Sequence, residues 1–362
     1  LLRIVHIDTG RDLRGGQRQL LLLAEGMREA GHAQVIVCPE GSALDGRALA
    51  EGFRVFALPP HDPGQAHGIL QLRQLLLSEP WRILHAHDGR GQALAWLASL
   101  GLPVRRVASR RVTFLPTARS RHRFIYGRTC HTVIAISSFI KGLLVECGVP
   151  ERKIEVIPDG IEIPAGLLTP EERQHARRRW GFGEDDFLVG HVGAFTEEKG
   201  QDIAIAAMAP IEERLPRARL LLAGDGPRWA ALEASKKASP ARAAIHLAGW
   251  VEDLPELFAA LDLYIMPSRA EGLGSSALLA MAHGLPVVAS RVGGLPEVVH
   301  EGETGWLVPP DSPPALAEAI LNAASDRARM AQFGAAARQG TCPFSSAIMR
   351  ERTEALYRRL SM

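Results

Sequence analysis

The sequence predicts an α/β protein built of two doubly wound, Rossmann-like domains facing a shared crevice, and three observations carry that expectation. Short β-rich runs alternate with helical patterns; the alternation breaks around Ile154–Pro164 and then restarts; and 362 residues exceed what one core of up to roughly 250 residues usually serves. Strands separated by helical crossovers must pair in parallel, because a tight hairpin joins only antiparallel neighbours. Open parallel sheets bind ligands outside the carboxyl ends of their strands, so the loops after the strands are where chemistry is expected.

In the first half, Arg3–Asp8 reads as a strand, followed by a glycine-rich turn at Gly15–Gly16 and an apolar helix from about Gln17 to Ala30, closed by Gly31. Further strands are expected at Gln34–Cys38, Arg54–Leu58, Arg82–His87, Val104–Ser109 and Val133–Ser137. The run I-P-D-G-I-E-I-P ending at Pro164 has two helix-interrupting prolines and a permissive glycine, and reads as the interdomain linker. The domains expected are therefore 1–164 and 165–344. The second contains strands at Leu188–Gly193, Ala218–Ala223, Ile245–Ala248, Leu263–Met266, Val287–Ser290 and Trp306–Val308, each but the last followed by a helical pattern. A final helix from about Ser345 to Leu360 gathers Ile348, Met349, Leu356, Tyr357 and Leu360 near one face, so it packs against something.

Composition bounds the function. With 46% apolar and 23% charged residues and a net charge of +2, the chain is neither a disordered segment nor a uniformly basic nucleic-acid binder. Cys38, Cys130, Cys147 and Cys342 are scattered, suggesting neither a disulfide framework nor a zinc site and fitting a reducing cytoplasm. No apolar stretch approaches the ~20 residues of a membrane span, and residues 1–8 run into a strand, so neither secretion by a signal peptide nor membrane insertion is expected.

Several strand-to-helix turns carry candidate chemistry, each with a plainer alternative. At Gly15-Gly16-Gln17 missing side chains let a ligand approach the backbone, and amides at a helix start favour phosphate; a tight turn explains the same residues. In Gly193-Ala194-Phe195-Thr196-Glu197-Glu198-Lys199-Gly200, Lys199 is placed to neutralise a diphosphate, or is a solvated surface group. The richest stretch is Pro267–Ser276: Glu271 at a strand end could accept from sugar hydroxyls, while Gly272, Gly274, Ser275 and Ser276 leave backbone amides or caps for a phosphate; a helix-capping glutamate is the alternative. Gly224, Asp225 and Gly226 border a nucleotide or form a plain turn, and Glu297 after Gly293-Gly294 reads better as a helix-dipole partner. His85 and His87 share one side of a strand, with His87 nearer the loop; two histidines at that spacing do not make a metal site. From Arg105 to Arg128 the chain holds Arg105, Arg106, Arg110, Arg111, Arg119, Arg121, Arg123 and Arg128 with no acidic residue. With Phe114, Phe124 and Tyr126 as its only aromatics, that segment favours an anionic membrane surface or glycan over nucleic acid, against a merely solvated basic face.

Taken in order, H-I-D-T-G…R-G-G-Q, I-A-I-S, V-I-P-D-G-I-E, G-A-F-T-E-E-K-G-Q, L-L-A-G-D-G-P, P-S-R-A-E-G-L-G, A-M-A-H-G-L-P-V-V-A-S and V-G-G-L-P-E-V-V resemble retaining glycosyltransferases of the GT-B fold, family four, which includes bacterial lipopolysaccharide and cell-wall enzymes. The resemblance spans nearly the whole chain. It implies a nucleotide-diphosphate sugar donor, no cofactor or metal, a glycan or lipid-linked acceptor of the cell envelope, and a cytoplasmic protein at the inner membrane face. It also implies that the final helix, within 345–362, crosses back to the N-terminal, acceptor-side domain. Carried over, Gly16 would approach the diphosphate, Lys199 would bind its oxygens, Glu271 would meet the sugar hydroxyls, and Gly274 and Ser275 would offer amides. The nucleotide would lie near Gly224–Pro227 and Trp250–Val251, with His87, Arg110 and Arg111 on the acceptor side and His87 joining Lys199 and Glu271 as a catalytic residue.

Three departures stand out. Leu279 replaces the family's second glutamate, assigned to ribose hydroxyls; Ala194 replaces a diphosphate-binding arginine; and Arg111 stands nearest the place of a common histidine. They motivate an alternative, a catalytically weak accessory protein that binds a sugar nucleotide. A GT-B epimerase is a third reading, and a nicotinamide-dependent dehydrogenase is disfavoured by the lack of a dinucleotide fingerprint.

Overall fold

The computed structural model describes residues 1–59, 66–113, 119–166 and 169–362, without the side chains of Arg119 and Arg121. The chain folds as two compact units, Leu1–Gly160 with Ser346–Met362, and Ile161–Ser345. The first therefore ends at Gly160, ahead of the Pro164 at which the sequence pattern breaks off.

Seven strands form the first sheet: β1 (Arg3–Ile7), β2 (Ala33–Pro39), β3 (Val55–Leu58), β4 (Ile83–Ala86), β5 (Arg105–Arg110), β6 (Thr132–Ala135) and β7 (Ile154–Val156). Their spatial order is β3-β2-β1-β4-β5-β6-β7, with every pairing parallel. The second unit carries β8 (Phe187–Val192), β9 (Ala218–Ala223), β10 (Ile245–Gly249), β11 (Leu263–Met266), β12 (Val287–Ser290) and β13 (Gly305–Val308), ordered β10-β9-β8-β11-β12-β13 and again parallel. Both sheets reverse direction beside their first strand, between β1 and β4 and between β8 and β11. Loops leaving neighbouring strands at such a switch point diverge and open a crevice.

Two elements correct the sequence reading. Ile154–Val156, assigned to the linker, is an edge strand; only three residues long, it leaves too little pattern before Pro158 to be recognised. The last strand, β13, is followed after all by a helix, Pro313–Ser325, whose prolines interrupt the pattern yet occupy the first turn, where no N–H is needed.

Strands covered on both faces read as continuous apolar runs, as in Val35–Val37 and Leu263–Met266, all buried. Buried His6 in β1 and His85 in β4 break this rule and mark the first unit's switch point. The last helix, Ser346–Ser361, packs Met349, Leu356 and Tyr357 among Leu23, Met27, Ile83 and Val107 of the first unit. Full burial of such side chains contributes about 1.5–3 kcal/mol each, which is how a terminal helix is held so far along the chain from its partners. Among the described residues no helix is long and apolar enough to cross a membrane.

Gly160 seats that helix. Gln19 accepts from its N–H at 3.0 Å and donates to its carbonyl at 2.8 Å, and a Cβ there would come 2.8 Å from Ser346 Cα and 3.1 Å from Met349 Cε. Gly160→Ala should therefore destabilise the first unit by about 1–3 kcal/mol, the usual cost of overpacking a core. An unshifted urea or thermal midpoint would show that the helix yields freely.

Candidate active site

In the second unit, the loop after β8 runs through a 3-10 turn, Glu197–Lys199, to Gly200 and the helix Gln201–Arg214, while the loop after β11 runs to Gly274 and the helix Ser275–Ala282. Lys199 Nζ donates to Glu271 Oε2 at 2.6 Å, with both side chains largely buried. Glu271 stands well into the loop beyond β11 rather than at the strand end. It is no helix cap either: Gly274, with φ 103°, holds that position, and no side chain caps the helix. Ser275 and Ser276 lie in the first turn instead of capping it, so no side chain caps the amide-rich helix start.

Arg269 joins the two loops. Its backbone N–H donates to the Glu198 carbonyl at 2.7 Å, and its guanidinium grips Asp202 through two 2.9 Å bonds. This fork holds Lys199 and Glu271 in register, and Asp202 in turn keeps the Arg269 guanidinium firmly protonated. Its own motif gives Arg269 no visible role, because the carboxylate it grips lies on a different element.

The glycines now divide into two kinds. A Cβ at Gly224 would sit 1.9 Å from the Gly193 carbonyl oxygen, and one at Gly226 2.6 Å from that of Phe195. One at Gly293, φ 57°, would sit 1.9 Å from the Glu271 carbonyl oxygen. These positions need glycine so that the loops can touch, which is the plain reading; Asp225 is exposed and accepts from the Gly226 N–H at 2.7 Å. Gly193 itself packs against His191, whose Nε2 would lie 3.1 Å from a Cβ at that position. Gly15 and Gly16 differ: a Cβ on Gly15 meets nothing within 4 Å, one on Gly16 only Arg111 Cδ at 3.9 Å, and neither has positive φ. Both open the helix Gly15–Glu29, where glycine costs roughly 0.5–1 kcal/mol against alanine. Among the described residues nothing asks for glycine there, which favours close approach of a ligand. Gln17, by contrast, is used internally, donating to Asp8 Oδ1 at 2.8 Å and accepting from Arg14 N–H at 3.0 Å.

At the first unit's switch point, His6, His85 and His87 cluster with their rings tilted against one another, all buried. His87 Nε2 lies 3.1 Å from His6 Nδ1, and His87 Nδ1 lies 3.3 Å from Arg111 Nη1. His85 bonds Tyr357 at 2.6 Å and Ser109 at 2.8 Å, while His6 Nε2 meets Gln34 at 3.2 Å. Three imidazoles within 4.8 Å of one another could cradle a metal ion. Here every ring nitrogen faces a hydrogen-bond partner and Arg111 adds positive charge, an arrangement suited to a polar chain rather than to a cation. Burial lowers the pKa of His6 to about 4 and those of His85 and His87 well below the ordinary value, keeping the rings neutral. Asp88 beside them caps the helix Gly89–Ala98 through Gly91 N–H at 2.7 Å, and burial together with nearby Asp8 raises its carboxyl to about 6.

The adjacent arginines part company. Arg110 is buried with its guanidinium by Tyr126, whereas Arg111 Nε donates to Asp159 Oδ1 at 2.9 Å. Arg106 bonds the Thr129 carbonyl at 2.6 Å and Arg105 that of Leu360 at 3.0 Å. Four cations of the basic segment are thus engaged within the fold, and Arg123, Phe124 and Arg128 are exposed. Phe114 lies outside the described residues. Trp250 and Val251 follow β10, with Trp250 59% exposed, and Leu279 is half-buried in the helix Ser275–Ala282.

The chain matches the family model described as Glycosyltransferase Family 4 over residues 13–163 and that described as Glycosyl transferases group 1 over residues 186–326. It is similar to the GDP-mannose-dependent alpha-(1-6)-phosphatidylinositol monomannoside mannosyltransferase of Mycolicibacterium smegmatis, at 29% identity over 90% of each chain. The Mycobacterium tuberculosis protein of the same name is 30% identical over 85% of this chain and 84% of its own. Among solved structures, Anabaena HepE in complex with UDP shares the fold, with a TM-score of 0.89 at 21% identity over 99% of this chain and 100% of that one.

Gly16→Ala should leave the fold unchanged or slightly more stable, by up to about 1 kcal/mol, while weakening sugar-nucleotide binding in calorimetry; unchanged binding would return the turn to its structural reading. A second expectation concerns acid. His6 and His191 have folded pKa values lowered from 6.5 to about 4 by burial, and His85 and His87 lie well below 6.5. Between those limits the unfolded chain binds more protons, so stability is full above pH 6.5 and falls as the pH drops towards 4. Asp88, with its raised pKa, opposes this as a single group. Denaturant midpoints at pH 7.5, 6 and 5 should decline in that order.

Proposed function

The chain belongs to the family-four glycosyltransferases, enzymes that act on nucleotide sugars, and from that premise we propose that it is a retaining transferase moving a sugar from a nucleotide-diphosphate donor to a hydroxyl of a cell-envelope glycan or lipid-linked acceptor. The observation that carries this reading is the 2.6 Å Lys199–Glu271 pair, held by Arg269 beside the uncapped helix start at Ser275. Breaking the bond between an anomeric carbon and a phosphate puts positive charge on the sugar and negative charge on the departing diphosphate. Lys199 and oriented amides stabilise the latter, while Glu271 accepts from the sugar hydroxyls. Without donor, the two side chains neutralise each other; the donor offers phosphate oxygens to the cation and hydroxyls to the carboxylate, replacing one paired arrangement by another.

In the retaining course the acceptor hydroxyl attacks the same face that the phosphate leaves, and the leaving phosphate assists removal of its proton. A covalent glycosyl adduct on a protein side chain would overturn that route. A lipid-linked acceptor fits the names of the two mycobacterial relatives, and exposed Arg123, Phe124 and Arg128 suit peripheral contact with an anionic membrane at its cytoplasmic face.

The test is a mass-spectrometric transfer screen of guanosine, uridine and adenosine diphosphate sugars, GDP-mannose first, with envelope glycolipids offered in anionic vesicles and in neutral micelles. Lys199→Ala should lose both donor binding and transfer. Glu271→Gln should lower transfer by roughly 10²–10³-fold, the scale of a removed transition-state contact, yet bind the sugar-free nucleoside diphosphate at least as tightly, because Lys199 no longer has a competing carboxylate. Donor binding without turnover in the wild type would favour the accessory-protein reading motivated by Leu279 and Ala194, and equal rates in vesicles and micelles would remove the membrane contact.

A further inference from the structure

The buried polar chain of the first unit has a direction. Gln34 Nε2 donates to the Ala24 carbonyl at 2.7 Å, which leaves Gln34 Oε1 as the acceptor facing His6 Nε2 at 3.2 Å. Neutral His6 therefore carries its proton on Nε2 and accepts on Nδ1. Its neighbour 3.1 Å away, His87 Nε2, must be the donor, and neutral His87 then presents a bare Nδ1 to Arg111 Nη1 at 3.3 Å. Arg111 meets a second acceptor, Asp159 Oδ1, at 2.9 Å, and its Cδ lies 3.9 Å from where a Gly16 side chain would begin.

We propose that His87 is a positioning residue which, with Asp159, fixes the Arg111 guanidinium beside Gly16, so that Arg111 rather than an imidazole meets an anionic oxygen of the substrate at the Gly15–Gly16 turn. Among the described residues, His87 and Asp159 use two of the five guanidinium N–H donors; the other three serve the ligand. A planar cation held at two edges offers the remaining donors in a fixed direction, which a flexible arginine does not. His87 has both ring nitrogens engaged, so it acts through Arg111 instead of touching the reacting atoms. Gln34, on β2, lies at the far end of this chain and selects its polarity through the tautomer of His6.

The identity of the anion rests on the glycosyltransferase reading; the hydrogen-bond chain does not, and two measurements separate them. In the ligand-free protein, long-range proton–nitrogen correlation of the imidazoles should report His87 neutral, with its proton on Nε2. A proton on Nδ1 overturns the proposal whether or not a donor has been found. Kinetics with the donor turned over by the wild type then use two substitutions. His87→Gln can reach towards His6 but removes the acceptor facing Arg111, and should lower kcat/KM by roughly 10- to 100-fold, chiefly through the donor KM, the range of one charge-assisted hydrogen bond. His87→Asn places an amide oxygen near the position of Nδ1 and should recover most of that loss. The His87→Gln effect should also vanish in an Arg111→Ala background. Equal losses in both variants at matched thermal midpoints, or a full His87→Gln loss without Arg111, overturns the positioning role.

Discussion

Backbone-to-backbone contact among the loops at the carboxyl end of the second sheet is the constraint on which the candidate site depends. Gly224 lies against the Gly193 carbonyl, Gly200 against that of Pro267 and Gly293 against that of Glu271, each at a distance no Cβ could share. The turns after four neighbouring strands, β9, β8, β11 and β12, are thereby pressed into one surface. Arg269 bonds across two of them, and the largely buried Lys199–Glu271 pair is the result. An ion pair of this kind, between two βα loops, is only as well defined as the backbone beneath it, and here glycine sets the spacing.

The first unit solves a different problem. A parallel sheet covered on both faces should be apolar, and His6, His85 and His87 are therefore costly unless each ring nitrogen finds a partner. His6 and His87 do so by bonding each other, Gln34 and Arg111, and His85 by bonding Ser109 and Tyr357. The bond to Tyr357 ties the C-terminal helix to His85 on β4, whose ring packs against those of His6 and His87. A buried network in which all members are satisfied gains rigidity from its low-dielectric surroundings, and that rigidity is passed to Arg111.

Charge counted along the sequence mixes cations used inside the fold with cations left at the surface. Arg105–Arg128 reads as a basic patch, yet Arg105, Arg106, Arg110 and Arg111 each bond to another part of the first unit. Their acceptors include a helix-end carbonyl, the Thr129 carbonyl and the Asp159 carboxylate, all distant enough in sequence to be invisible in a local count. Likewise, the glycines of Gly224–Gly226 and Gly15–Gly16 look alike as motifs, and only the packing around each separates a fold requirement from a ligand opening.

Local patterning along the chain encodes the parallel α/β units, nearly all of their strands, and the turns that bear Lys199, Glu271 and Gly16. Those follow from the periodicity of apolar residues and from backbone freedom at glycine, which act over a few neighbouring positions. The three-residue strand Ile154–Val156 and the proline-led helix Pro313–Ser325 escaped because one is too short for a pattern and the other begins with residues that usually interrupt one. That Lys199 meets Glu271, that Arg269 braces them, and that His6 and Gln34 orient His87 towards Arg111 became visible only once the chain was folded. Strand order brings these residues together across long stretches of chain, and a hydrogen bond or an ion pair requires its separation to be set within a few tenths of an ångström.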